Sequence, residues 1–253
     1  MVQSPNMYFE YVRVNDQPVR NFQVFGERSS GTNFTNHLLR QNLNMRPVHC
    51  YGWKHGYPSM LSIPSNALIV VVFRNTHDWL RSMYKKPWHT IQSLRQLSFS
   101  EFLRSEWQTI SDIPGVLPDY DKKNTLNQVL QLDRHPITGR PYNNIIELRN
   151  IKTASFLGFL NRGCNVVCTQ YEYISANPQD FLQRVASLYD LEFSGDVASV
   201  TTHLGTGGFT RHAAPKDFSE SDLDFIHEWI DHDQESRIGY DTKQSLSPAR
   251  GSQ

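Results

Sequence analysis

Cysteine is scarce: Cys50, Cys164 and Cys168 are the three in a chain of 253 residues. So small and odd a number excludes a disulfide framework and points to a reducing compartment. Cys164 and Cys168 lie in an apolar run, which reads as a buried strand rather than a metal site. Net charge is missing too. Lysine plus arginine number 25 and aspartate plus glutamate 25, so no overall field draws the protein to nucleic acid or to an anionic membrane, and any anion site must be built locally. Long apolar runs are absent: the longest, Ala67 to Phe73, falls far short of the roughly 20 residues that span a bilayer. The opening Met1-Val2-Gln3-Ser4-Pro5-Asn6 is polar and lacks the form of a signal peptide. A soluble, cytoplasmic protein without a membrane span is expected.

What is present suits a packed core. Apolar residues make up 38% and aromatics 12%, a composition that argues against extended disorder. The length fits α/β folds built around one core, so a single domain over residues 1–253 is expected, with a polar, frayed tail from about residue 244.

The order of elements favours an α/β fold. Phe22-Gln23-Val24-Phe25 is a short β-prone run ending at Gly26, and helical spacing of apolar residues starts at Phe34. A second short strand is predicted around Pro47 to Tyr51. Ala67 to Phe73 is a continuous β-branched run of the kind buried on both faces of a parallel sheet, and is the best candidate for the central strand. Helices are predicted over 78–84 and over 100–110, the latter opening on the cap-like Ser98-Phe99-Ser100-Glu101. Residues 111–141 read as a long loop with one short helix. Helical spacing returns over 144–160, where Arg149 and Asn150 read more simply as a solvated face than as acceptor contacts. Val166 to Thr169 forms another buried strand, Asn177-Pro178 opens a helix to about Tyr189, and a last helix covers 219–232. Strands alternating with helices predict a three-layer fold with a central parallel sheet flanked by helices, of the P-loop-like kind.

Chemistry concentrates at the first loop. Gly26 and Gly31, separated by four residues between a strand and a helix, form the opening half of the P-loop pattern. A magnesium-dependent nucleotidase would continue with lysine and a hydroxyl residue, whereas Thr32 and Asn33 stand there. What remains is a helix N-terminus lined by Ser29, Ser30 and Thr32 with Arg28 beside them, an anion cradle without a metal arm. Arg74, at the end of the predicted central strand, and Ser82, eight residues on, can converge on a second phosphate.

Ser30-Gly31-Thr32 and the Arg74/Ser82 pair together resemble the two cofactor motifs of the sulfotransferases that use 3′-phosphoadenosine-5′-phosphosulfate (PAPS). Gln170-Tyr171-Glu172 is similar to a further family segment, and the resemblance spans about residues 22–190. It implies that Arg28, Ser29, Ser30, Gly31, Thr32 and Asn33 hold the phosphosulfate, that Phe34 stacks on adenine if it is not simply a core residue, and that Arg74 and Ser82 hold the 3′-phosphate. A late glycine-rich loop, Gly205-Thr206-Gly207-Gly208-Phe209-Thr210-Arg211-His212, is loosely similar to the one that closes that site, through Arg211. The chain departs from the family at Ser29, where many members carry a lysine; Arg28 or Lys54 is left to supply that cation.

Sulfuryl transfer needs a base for the acceptor's proton and cations for the leaving nucleotide, and no metal. The family's base is a histidine or glutamate some twenty to thirty residues past the loop, a window occupied by Gly52-Trp53-Lys54-His55-Gly56. His55 is chosen as base and Lys54 as contact to the sulfonate or leaving phosphate; His49 is the rival, but is expected to be packed in a strand. The resemblance thus implies transfer from PAPS to a hydroxyl of a carbohydrate or small metabolite, leaving adenosine 3′,5′-bisphosphate. A small-molecule kinase with a divergent P-loop and a non-catalytic nucleotide-binding protein are the alternatives. The sequence does not choose the acceptor or the oligomeric state.

Overall fold

The computed structural model describes residues 7–112, 122–200 and 213–240. In chain order its elements are β1 (Phe9–Val12), β2 (Asn21–Phe25), α1 (Thr32–Asn42), β3 (Arg46–Pro47), β4 (Ala67–Phe73), α2 (Thr76–Lys85), α3 (Phe99–Arg104), α4 (Lys122–Thr125), α5 (Ile145–Leu157), β5 (Asn165–Gln170), α6 (Tyr171–Ala176), α7 (Pro178–Tyr189), α8 (Glu220–Trp229) and α9 (His232–Arg237). Among the described residues no helix is long and apolar enough to cross a membrane.

All residues of β4 are buried, as its unbroken apolar run requires. It is the middle strand of a five-stranded sheet ordered β1-β5-β4-β2-β3. Leu68, Val70 and Val72 point to one face and pack with Leu38 and Leu39 of α1 and Phe181, Leu182 and Val185 of α7. Ile69, Val71 and Phe73 point to the other, against Phe156 and Leu157 of α5 and Ile238 after α9. Each such side chain contributes about 1.5–3 kcal/mol by leaving water. A third cluster joins α2, α3, α5 and α8 around Trp79, Phe102, Ile145 and Ile226. The architecture is α/β, with helices on both faces of the sheet.

The sheet is mostly parallel but mixed, which corrects the expectation of a wholly parallel one. β2–β3, β2–β4 and β4–β5 are parallel, while β1 runs antiparallel to β5, pairing Phe9 with Thr169 and Val12 with Val166. The half-buried Phe-Glu-Tyr-Val of β1 is too short and mixed to stand out as a strand; it satisfies the otherwise open edge of β5.

Other boundaries moved for identifiable reasons. The second strand shrinks to Arg46–Pro47, because the buried Gln23 side chain takes over the ladder's role, accepting from Tyr51 N–H at 3.0 Å and donating to Gly52 C=O at 2.8 Å. The helix predicted over 100–110 has its capping box but stops at Arg104; Trp107 pairs with Tyr142 and Thr109 with Thr90 instead, so that both side chains reach a buried carboxylate described below. The helix over 219–232 is two, because Asp231 caps a new one through Gln234 N–H.

The topology positions the site. From β2 the chain passes through α1 to β3 on one side, and β4 then lies on the other side of β2. The carboxyl ends of β2 and β4 therefore flank a point where the winding reverses, the position at which open α/β sheets form ligand crevices. Gly26 follows one of these ends and Arg74 the other.

Candidate functional site

The loop after β2 is held tightly. A Cβ on Gly26 would lie 2.5 Å from the Val72 carbonyl oxygen, and one on Gly31, whose φ is +92°, would lie 2.1 Å from the Tyr171 ring; only glycine fits either position. Ser29 is left-handed as well, at φ 63°. Such left-handed positions in a turn direct successive N–H groups into one concavity. Ser30 closes the turn, its N–H and hydroxyl both donating to Glu27 C=O at 3.1 and 2.6 Å. Gly31 is the N-cap of α1 and has no side chain to accept from the helix's first N–H groups, which leaves that turn able to receive an anion.

Arg74 stands beside this turn. Its Nη1 donates to Ser29 C=O at 2.9 Å, and its guanidinium lies 5.2 Å from the centre of the Tyr171 ring. Its Nε is buried without a hydrogen-bond partner among the described residues. No carboxylate among them pairs with Arg74, whereas Arg28, Arg95, Arg104 and Arg149 each have one. A buried, unsatisfied donor on an uncompensated cation is costly unless an anion completes it.

The Trp53 to Gly56 turn docks on the same loop through one residue. Gly26 N–H donates to Lys54 C=O at 3.1 Å, and Gly26 C=O accepts from His55 Nδ1 at 2.6 Å. Because a carbonyl only accepts, His55 carries its proton on Nδ1 and keeps the Nε2 lone pair. Burial, reinforced by the Lys54 charge, pushes the imidazole well below its ordinary pKa, so it is neutral at pH 7. The Lys54 ammonium meets the Asn33 side chain in the first turn of α1, and burial lowers it to about 8. Lys54 thus brings a positive charge to the helix N-terminus, in the neighbourhood where Ser29 has none to offer. A scan against protein-family models found none that matches the chain, and searches of curated proteins and of solved structures found no match either.

The remaining predicted residues fall in different places. Arg28 is turned into the interior: Nε donates to Glu27 at 2.7 Å, Nη2 to both oxygens of Asp133 at 2.9 and 2.7 Å, and Nη1 to Trp88 C=O at 3.1 Å. Its side chain is 2% exposed, so it braces the loop from behind instead of lining it. Thr32 is buried and Asn33 exposed. Phe34 is half-buried, edge-on to Tyr171 at 5.8 Å and packed on the core. Ser82 is partly exposed on α2. His49 is exposed, not packed as expected, because the strand that would have buried it ends at Pro47. Arg149 does not lie on a solvated face; it is buried against Glu235 at 2.7 Å. Arg211 and its glycine-rich loop, and the tail from residue 244, lie outside the described residues.

Several residues escaped the sequence reading. Asp133 anchors a buried group of four charges: besides Arg28 it meets the Lys152 ammonium, which lies 3.0 Å from Glu27 and donates to His55 C=O at 2.6 Å. Thr109 and Trp107 complete Asp133 at 2.8 and 3.2 Å. Burial alone would raise the Asp133 carboxyl, but Arg28 and Lys152 hold it well below the usual range. Asp133 comes from the long loop region and carries no local signature. Lys152 did have one: it sits on the apolar stripe Ile145, Leu148, Phe156 at helical spacing, where a cation has to be buried and paired. Trp53 lies edge-on to His55 and to His89, whose Nδ1 is 2.7 Å from Asp112.

Proposed function

We propose that the protein is a sulfotransferase with a P-loop-like nucleotide site, moving the sulfonate of PAPS to a hydroxyl of a carbohydrate or small metabolite. The observation that carries the reading is Arg74: a cation that has no counter-ion and whose buried Nε has no hydrogen-bond partner among the described residues, bonded to Ser29 of the glycine loop at a topological switch point. A bare helix N-terminus and an unsatisfied arginine beside it fit one ligand with two separate anionic groups, as the 5′ and 3′ ends of PAPS are.

PAPS, when bound, supplies a sulfonate whose bond to the bridging phosphate oxygen breaks as the acceptor oxygen bonds to sulfur. The first turn of α1 and Lys54 bind the 5′ anionic end and stabilise the negative charge that the departing oxygen acquires with the bond's electron pair. Arg74, with Ser82 on the following helix, takes the 3′-phosphate. His55, neutral and with Nε2 unprotonated, accepts the acceptor's proton. Lys54 takes the part of the family's loop lysine, and Arg28 that of a structural brace. The three cysteines are free, and a reducing cytoplasmic setting goes with this reading.

Titration calorimetry with adenosine 3′,5′-bisphosphate, and with ATP in the presence and absence of magnesium, tests it. Metal-independent binding of the bisphosphate is expected; binding of magnesium-ATP alone would exclude the reading in favour of a kinase. Transfer of labelled sulfonate from PAPS to a panel of sugars, phenols and amines then separates an enzyme from a protein that binds the nucleotide without turning it over.

A further inference from the structure

The sheet stops holding its chain where Arg74 begins. The pairing of β4 with β5 ends at Phe73 and Gln170, so the peptide unit between Arg74 and Asn75 lies beyond the ladder. Both of its polar ends are nonetheless taken by charged side chains. The Arg74 carbonyl accepts from Arg149 Nη2 at 2.9 Å, and the Asn75 N–H donates to Glu172 Oε1 at 2.9 Å. With its two ends fixed, that peptide plane cannot rotate, and the direction in which the Arg74 side chain leaves the backbone is set.

Each clamp is itself backed from the segment after residue 230. Arg149 pairs with Glu235 of α9 through two bonds of 2.7 and 2.8 Å, and Glu235 also accepts from the Thr76 hydroxyl at 2.9 Å. The second oxygen of Glu172 accepts from the Tyr240 hydroxyl at 2.6 Å. Arg149 and Glu235 are 5% and 2% exposed, so neither is set up to meet a ligand directly. Their shared target is the peptide unit that follows Arg74, an arginine no carboxylate pairs with among the described residues.

We infer that Arg149, Glu172, Glu235 and Tyr240 are positioning residues for Arg74, setting its recognition of the nucleotide's 3′-phosphate. The inference rests on the sulfotransferase reading, and its test separates the two. Tyr240→Phe removes one hydroxyl and keeps the ring's packing; Arg149→Lys keeps a charge but loses the fork. Affinities for adenosine 3′,5′-bisphosphate and adenosine 5′-phosphate are measured by calorimetry on the full chain, with melting temperatures alongside.

Tyr240→Phe weakens the bisphosphate by several-fold and Arg149→Lys by about tenfold or more, in line with residues that orient a ligand-binding group, while the 5′-phosphate stays within about twofold. Preserved discrimination between the two nucleotides in Tyr240→Phe would overturn the inference, whatever happens to the melting temperature, and leave the sulfotransferase reading standing. An equal loss for both nucleotides would also overturn it, marking a purely structural role. A wild-type protein that does not discriminate between them overturns both.

Discussion

Replacing Arg74 by methionine separates binding from stability. The substitution keeps the aliphatic stem and removes the guanidinium. In the free protein it deletes a charged hydrogen bond to Ser29 C=O, worth about 1.5–3 kcal/mol, and also removes a buried Nε without a partner among the described residues, whose unsatisfied burial costs about 1–3 kcal/mol. The two nearly cancel, so the melting temperature should move by no more than roughly 8 °C. With a nucleotide bound the balance differs, because the guanidinium then meets a phosphate away from water. Losing one partner of such a pair costs about 2–5 kcal/mol, a drop in affinity of roughly thirtyfold to several-thousandfold. Calorimetry should show this drop for adenosine 3′,5′-bisphosphate and little change for adenosine 5′-phosphate. Unchanged bisphosphate affinity would refute the assignment of Arg74 to the 3′-phosphate, and so would a loss shared equally by both nucleotides.

Four further outcomes are expected. Burial sets Lys54 near 8, so its ammonium is present below that pH and lost above it; bisphosphate affinity should fall as pH rises through 8, and Lys54→Met should bind more weakly and flatten the profile. His55→Ala should abolish sulfonate transfer while bisphosphate affinity stays within a few-fold. Because folding pushes the His55 pKa down, the unfolded chain takes up that proton first, and His55 costs stability as pH falls below about 6.5; a melting series should show less loss between pH 6.5 and 5 in His55→Gln. Asp133→Asn should leave Arg28 and Lys152 short of charge in the interior, at a cost of about 3–5 kcal/mol and roughly 6–20 °C in melting temperature; a shift under 3 °C would show that the buried charges do not depend on one another.

Much of the fold was legible because the signals were local. Ala67–Phe73 declares itself as a doubly buried strand from seven consecutive residues, and Pro178 opens its helix as the sequence suggests. The glycine loop and Arg74 were legible for the same reason: each is a short pattern tied to the end of a strand. The antiparallel β1 and the early stop of α3 were not, since both depend on partners distant in sequence, β5 in one case and Tyr142 and Asp133 in the other. Arg28 shows the same limit inside the site. Next to the serines in sequence it looks like a ligand to an anion, and Asp133, 105 residues on, decides that it faces inward.

The sequence by itself determined that this protein would be an α/β fold with a glycine-flanked strand-to-helix turn lacking the lysine and hydroxyl of magnesium-dependent nucleotidases, because strand burial, helix spacing and loop composition are properties of neighbouring residues. Tertiary structure alone decided which cations stand beside that turn. Burial makes an unpaired charge costly, so each arginine's role follows from whether the fold brings it a carboxylate. Arg28 receives Glu27 and Asp133, and Arg149 receives Glu235. Arg74 receives none among the described residues, and Lys54 is carried in from another segment to the first turn of α1.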